Sequence, residues 1–200
     1  NGNPLWYMDE KDANDNLTGK RVTTSDYASA SYYYVNKSSL PKVYGGFNTS
    51  LSWKGFDLSA IFAYSIGGYI YNRDITMILH NGSLEGRDWS TEILKRWTPE
   101  NRYTDVPALS TTSNNWNSAS TRFLQNNSYM RLKNLTLSYD LPKQWISKLA
   151  LSSVQVFVQG DNLFTIHRNQ GLAPEQGITG ITYYRYPAMR TISGGINLSF

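Results

Sequence analysis

The side chains best suited to proton transfer or metal binding are few and scattered. His80 and His167 are the two histidines, and the chain has no cysteine to share a metal with either. Neither belongs to an H-E-x-x-H pattern, and both fall in stretches that read as loops. Both are therefore expected as surface or membrane-rim histidines, not as metal ligands or a catalytic base. Asp9, Glu10 and Asp12 supply carboxylates on a polar stretch with nothing to raise a pKa. Asp12, Asn14 and Asn16 alternate like the first ligands of a calcium loop. The glycine at the sixth position and the glutamate at the twelfth are missing, which favours a solvated loop over a calcium site. The glycine pairs Gly45-Gly46, Gly67-Gly68 and Gly194-Gly195 lie within or at the ends of strand patterns and read as bends, not phosphate cradles. Nothing here calls for an enzyme, a cofactor or a metal.

The better candidates for binding are rings. Trp89, Trp97, Trp116, Tyr183 and Tyr184 fall in long irregular stretches. Flat apolar faces with a polar edge suit sugars and protein partners alike. Asp88 to Trp97 reads as a short helix, with Asp88 as its cap and Lys95-Arg96 near its end. Trp89, Ile93 and Trp97 share one side of it. Packing of that helix is the plainer role for Trp89 and Trp97, and ligand or partner contact the sharper one.

Composition narrows the setting. Of 200 residues, 15 are Tyr, 6 Trp and 7 Phe, and only 17% are charged. Soluble domains carry ~25% charged residues. The net charge of +4 is scattered without a Lys/Arg run, so nucleic acid is not a suggested partner. No apolar run approaches the ~20 residues of a membrane helix, but a membrane barrel escapes that test because half of each strand is polar. The opening NGNPLWYM has neither an initiator Met nor an apolar leader, as expected of a mature chain or of a piece of a longer one.

The elements that position these residues are organised around Gly45 to Ile66. Phe47, Leu51 and Trp53 alternate with Asn48, Ser50 and Ser52. After the Lys54-Gly55 turn, Phe56, Leu58, Ala60, Phe62, Tyr64 and Ile66 alternate with Asp57, Ser59, Ala63 and Ser65, with Ile61 the one apolar intruder on that face. Period two marks strands, and a two-residue connection with glycine joins antiparallel neighbours. The non-apolar face is hydroxylic and poor in charge. Phe56 to Tyr64 spans ~26 Å, near the height of an outer-membrane apolar band, with aromatic residues at both ends as in a girdle. On this hairpin alone, a membrane barrel and a soluble β-sandwich fit equally well.

Further strands are expected near 128–141, 153–163 and 190–200, beside those near 42–53 and 56–66. A phase slip between Leu132 and Leu135 predicts a β-bulge near Lys133-Asn134. Residues 1–41 read as loop, as do 67–127 and 164–189. Long and short connections therefore alternate, as they do between the outer loops and periplasmic turns of a barrel. This favours an all-β, transmembrane antiparallel barrel over a sandwich. About five strands cannot close one, since the smallest have ~8, so a larger barrel or a second chain is implied.

Several blocks resemble the C-terminal segments of SusC/RagA-type TonB-linked outer-membrane transporters of Bacteroidetes. They are LPKVYGGFNTSLSWKGFDLSAIFAYSIGGYIYN (40–72), RWTPENRYTDVPAL (96–109), STRFLQNNSYMRLKNLTLSYDLP (120–142), VQVFVQGDNLFTI (154–166) and the final GGINLSF. The resemblance implies a barrel of about 22 strands with an N-terminal plug. It also implies a SusD-like lipoprotein lid, energy from TonB-ExbB-ExbD, and import of oligosaccharides or peptides across the bacterial outer membrane. The plug and TonB box are not among these residues. It further implies that the row Ile196, Leu198 and terminal Phe200 is read by the barrel-assembly machinery. The competing hypothesis is a soluble, β-rich surface carbohydrate-binding or adhesin module. The face of Leu51, Phe62, Leu137 and Ile196 discriminates, touching lipid in the first case and forming a dry core in the second.

Overall fold

The computed structural model describes residues 2–80, 82, 86–110, 115–147, 151–169, 173–175, 177, 179–182 and 184–200. The strands along them are β1 (Trp6–Lys11), β2 (Leu17–Thr24), β3 (Val43–Trp53), β4 (Phe56–Ile66), β5 (Tyr69–Tyr71), β6 (Leu124–Asn126), β7 (Tyr129–Asp140), β8 (Ser153–His167) and β9 (Thr191–Ser199). Two short α-helices accompany them, α1 (Arg73–Ile78) and α2 (Lys143–Ile146). The chain divides into two compact units. One comprises Asn1–Asn36 with Asn72–Leu124, the other Lys37–Tyr71 with Gln125–Phe200.

The second unit is a five-stranded sheet in the order β3-β4-β7-β8-β9, and every neighbouring pair is antiparallel. Lys54 (φ 48°) and Gly55 (φ 85°) form the β3–β4 turn. Two consecutive positive φ values give the turn twist that matches flanking strands, and glycine accepts one of them without strain. Register then sorts the side chains. Phe47 faces Phe62, Leu51 faces Leu58, Leu58 faces Leu137, Leu137 faces Val158, and Val156 faces Ile196. The register shift between Leu132 and Asn134 is the bulge that the phase slip predicts. It absorbs Lys133, so Leu132 and Leu135 share the apolar face although two residues lie between them, where regular alternation would put them on opposite faces.

That apolar face is open. Leu51 is 67% exposed, Leu137 47% and Ile196 63%, where a sandwich would bury them under a second layer. An uncovered apolar surface running across five strands far exceeds what a soluble monomer tolerates and suits a wall turned to lipid. No helix among the described residues is long and apolar enough to cross a membrane.

The other unit departs from the sequence reading. Residues 1–41, expected as loop, contain the hairpin β1–β2, paired from Trp6↔Thr24 to Lys11↔Leu17. Its turn is closed by the Asp12 carboxylate, whose Oδ1 accepts the backbone N–H groups of Asn14 (2.8 Å) and Asn16 (2.9 Å). Asp15 (φ 66°) takes the left-handed place that glycine usually fills, so the turn carries no glycine to mark it. The helix expected over 88–97 is a 3₁₀ segment, Thr91–Lys95, capped by Ser90 and not by Asp88. Leu79, Ile93, Val106 and Trp116 form a buried cluster with Ile75 packed against it. Both ends of the stretch from 72 to 124 are joined, since the Asn72 N–H donates to Phe123 O at 2.8 Å and both residues are buried.

Candidate functional site

The sheet's second face carries the polar half of the alternation. Asn134 donates to Asp161 (2.8 Å), and Thr136 Oγ1 donates to Asn134 Oδ1 (2.9 Å). Gln155 donates to Asp140 (3.0 Å), and Asn197 donates to Gln155 (3.2 Å). Ser52 and Asp57 bond to each other at the β3–β4 end. Short hydroxyl, amide and carboxylate groups that satisfy one another leave a polar, wetted surface. Such a face suits a water-filled lumen.

Arg131 stands on the same face, because its partners Ala63 and Thr165 lie opposite the apolar positions of β4 and β8. Its side chain is 5% exposed. Nη1 pairs with Glu175 Oε2 at 2.8 Å and Nε donates to Thr165 Oγ1 at 2.8 Å. Lys133 Nζ holds the other Glu175 oxygen. A buried guanidinium needs such a partner, and the forked donors allow two contacts at once. The pattern of β7 hid this residue, since only the bulge decides which way Arg131 points.

The expected ring residues divide between the units. Trp89 is 44% exposed, and its Nε1 donates to His80 Nδ1 at 3.0 Å. Trp97 is half-buried, with its ring against Gly2 (φ +71°), where a Cβ would meet it at 2.7 Å. Trp116, expected as a ligand or partner contact, is 3% exposed and packs in the core cluster. Arg122 sits over its ring, 5.9 Å from the centroid, and burial lowers that guanidinium's pKa. Tyr184 is 66% exposed with φ 33°, and Tyr183 lies outside the described residues. Ile196 and Leu198 face Val156 and Val154 on the apolar side, and Phe200 follows β9 with 93% of its surface exposed.

His80, expected at a surface, is 1% exposed. Its Nδ1 accepts from Trp89 Nε1 and from the Gly82 N–H (3.2 Å), so the neutral ring carries its proton on Nε2. Burial, which disfavours the cation, lowers its pKa. His167 is exposed, with Nδ1 at 2.8 Å from Asn169 O. Among the described residues no three His, Asp or Glu converge on a metal position. In the calcium-like stretch the Asp12 oxygens are already occupied by the turn.

An antiparallel sheet with one uncovered apolar face and one wetted face is a segment of a transmembrane β-barrel wall. Over its full length the chain is 34% identical to a chain of the RagAB peptide transporter and matches its structure with a TM-score of 0.81, covering 21% of that chain. It is 32% identical over 166 residues to TonB-dependent receptor P3 of Formosa agariphila, covering 78% of this chain and 16% of that receptor. With the TonB-dependent receptor SusC of Bacteroides thetaiotaomicron it shares 27% identity over 168 residues, covering 84% of this chain and 16% of that receptor. No family model matches. The chain belongs to the SusC/RagA-type TonB-dependent receptors, of whose barrel wall it is a segment spanning 21% or less of these relatives' length.

Proposed function

We propose that this segment forms part of the wall of an outer-membrane importer, not an enzyme, that passes peptides or oligosaccharides. In this reading it acts with a SusD-like surface lipoprotein as lid and draws energy from TonB-ExbB-ExbD. The observation that carries the reading is the match along the whole chain to the RagAB peptide transporter. That match favours peptides over oligosaccharides as cargo. The wetted face supports it too, because Ser, Thr, Asn and Gln ladders let polar solutes slide without strong binding.

The stretches 67–127 and 164–189 then belong to the cell exterior, where a lid would close, and Lys54-Gly55 and 142–152 to the periplasmic side. Trp89, Trp97 and Tyr184 are the rings left to meet the lid or its cargo. Trp116 serves the fold. A soluble carbohydrate-binding module would have to bury Leu51, Leu137 and Ile196, and these are open.

The test is purification of the full-length protein from outer membranes. A co-purifying surface lipoprotein and bound peptides identified by mass spectrometry are expected. A soluble protein without a lipoprotein partner would overturn the reading.

A further inference from the structure

We propose that the sheet unit carries an anion site where β8 outruns β9, built to take a carboxylate of the transported solute. This deepens the import reading and rests on it. β8 pairs with β7 as far as Tyr129↔His167 but with β9 only as far as Asp161↔Thr191. Beyond Asp161 the free edge of β8 borders a hollow of about 330 Å³. Arg131, Thr165, His167, Arg185 and Arg190 line it. An adjoining hollow shares Arg131 and Arg185 and adds Glu175 and Tyr186. A volume of this order admits a group the size of an amino-acid or sugar residue.

The charge there is one-sided. Among the described residues no acidic residue lines the larger hollow. Asp161, next to its Asn162, bonds Asn134 and Gln159, and from 162 to 190 the one acidic residue of the sequence is Glu175. Its carboxylate is already held by Arg131 on one oxygen and Lys133 on the other. Arg185 and Arg190 have no acidic partner among the described residues. Arg131 is thus a fixed, buried floor whose counter-charge is committed, and two uncompensated guanidinium groups face the same space. A guanidinium is weakly hydrated, and its forked donors match a carboxylate with two parallel bonds. Arg131 is buried, so its field is screened less than those of the exposed Arg185 and Arg190. Arg131, Thr165 and His167 share the polar face with Asn134 and Asp161, which places the site on the side where solute would pass.

Two sources could supply the carboxylate, an acidic peptide or a uronic-acid oligosaccharide. The experiment uses the full-length protein with its lid and two matched probe pairs. One is Ala-Glu-Glu-Ala-Ala against Ala-Gln-Gln-Ala-Ala, both with amidated C-termini. The other is a tetrauronide against the neutral tetrahexose. Calorimetry at low salt should show the acidic member of one pair binding about tenfold tighter than its neutral partner. The pair that shows it names the source. Arg185→Gln with Arg190→Gln, both at exposed positions, should bring the acidic probe to the neutral member's affinity and leave the neutral probe unchanged. Equal binding within both pairs, a preference that survives the double substitution, or no binding of any probe would each overturn the site. If the lipoprotein and bound cargo still co-purify in those cases, the import reading stands without it.

Discussion

Leu58 and Leu137 stand directly opposite each other across β4 and β7, and both remain exposed on the uncovered face. Their neighbours Ser59 and Thr136 form the adjacent pair on the polar face. A one-residue step therefore crosses from lipid to water. Leu58→Arg or Leu137→Arg is expected to lower the stability of the full-length barrel by ~2–4 kcal/mol if mid-membrane, and Ser59→Arg by much less. Urea unfolding in lipid vesicles measures both. Equal losses at positions 58 and 59 would count against a lipid-facing wall.

Topology is tested at exposed positions. Single cysteines replacing Lys54 and Trp145 should resist a membrane-impermeant thiol reagent on intact cells, and those replacing Tyr103 and Tyr186 should react. All four lie in exposed turns, short helices or loops. Labelling at 54 with protection at 103 would reverse the assignment of outer and inner sides.

Trp116 supplies a test of packing. It is the largest residue of the cluster with Leu79, Ile93 and Val106. Trp116→Ala should cost this cluster about 3–5 kcal/mol, with local loss of order. Hydrogen exchange of peptides covering 75–106 should speed up markedly. A surface role for the ring would leave their exchange unchanged.

His80 couples the same unit to pH. Its pKa is lowered in the fold by burial, so the folded ring stays neutral where the unfolded ring would gain a proton. The contribution is complete above the unfolded value of 6.5 and is lost as pH falls from there toward the lowered folded value. Protonation of Nδ1 also displaces the Trp89 and Gly82 donors. Exchange protection over 75–98, corrected for intrinsic rates, should fall below about pH 6.5. His80→Gln should flatten that dependence. An unchanged slope in the variant would assign it to another group.

Phe200 follows the apolar row of Ile196 and Leu198 but is 93% exposed. Its removal should therefore lower stability by at most ~1–2 kcal/mol even when lipid covers the ring. If the residue serves assembly, removing it from a full-length protein that ends there should depress outer-membrane levels far more than the melting temperature. Normal levels with a lowered melting temperature would give it a packing role.

The sheet was legible because one force wrote it. Alternation at Leu51, Trp53, Phe56 and Leu58 records which face leaves water, and the slip before Leu135 records the bulge. The β1–β2 hairpin was not legible, because its turn is closed by the Asp12 side chain and its strands lack a continuous apolar face. Trp89, Ile93 and Trp97 follow a helical spacing that the backbone does not adopt. Ser90 caps a tighter 3₁₀ turn, and Arg96 is already extended at ψ 156°. His80 looked like a loop residue because burial depends on Trp89 and Gly82 closing around it. The hollow around Arg131 depends on Arg185 and Arg190 returning from more than fifty positions away in sequence, a proximity that no local pattern encodes.

The hydrogen bond from Asn72 to Phe123 bears on how the chain can vary. β4 and β7 pair along their length although residues 67–128 separate them. With the stretch joined at 72 and 123, the loop that must close is reduced to the few residues on either side of that neck. By loop-closure entropy this eases strand pairing by about 1.5 kcal/mol, if the neck forms first. What lies between Asn72 and Phe123 then behaves as a cassette. Its length then bears little on how β4 meets β7, and a change of length would be felt instead where 72–124 packs with residues 1–36.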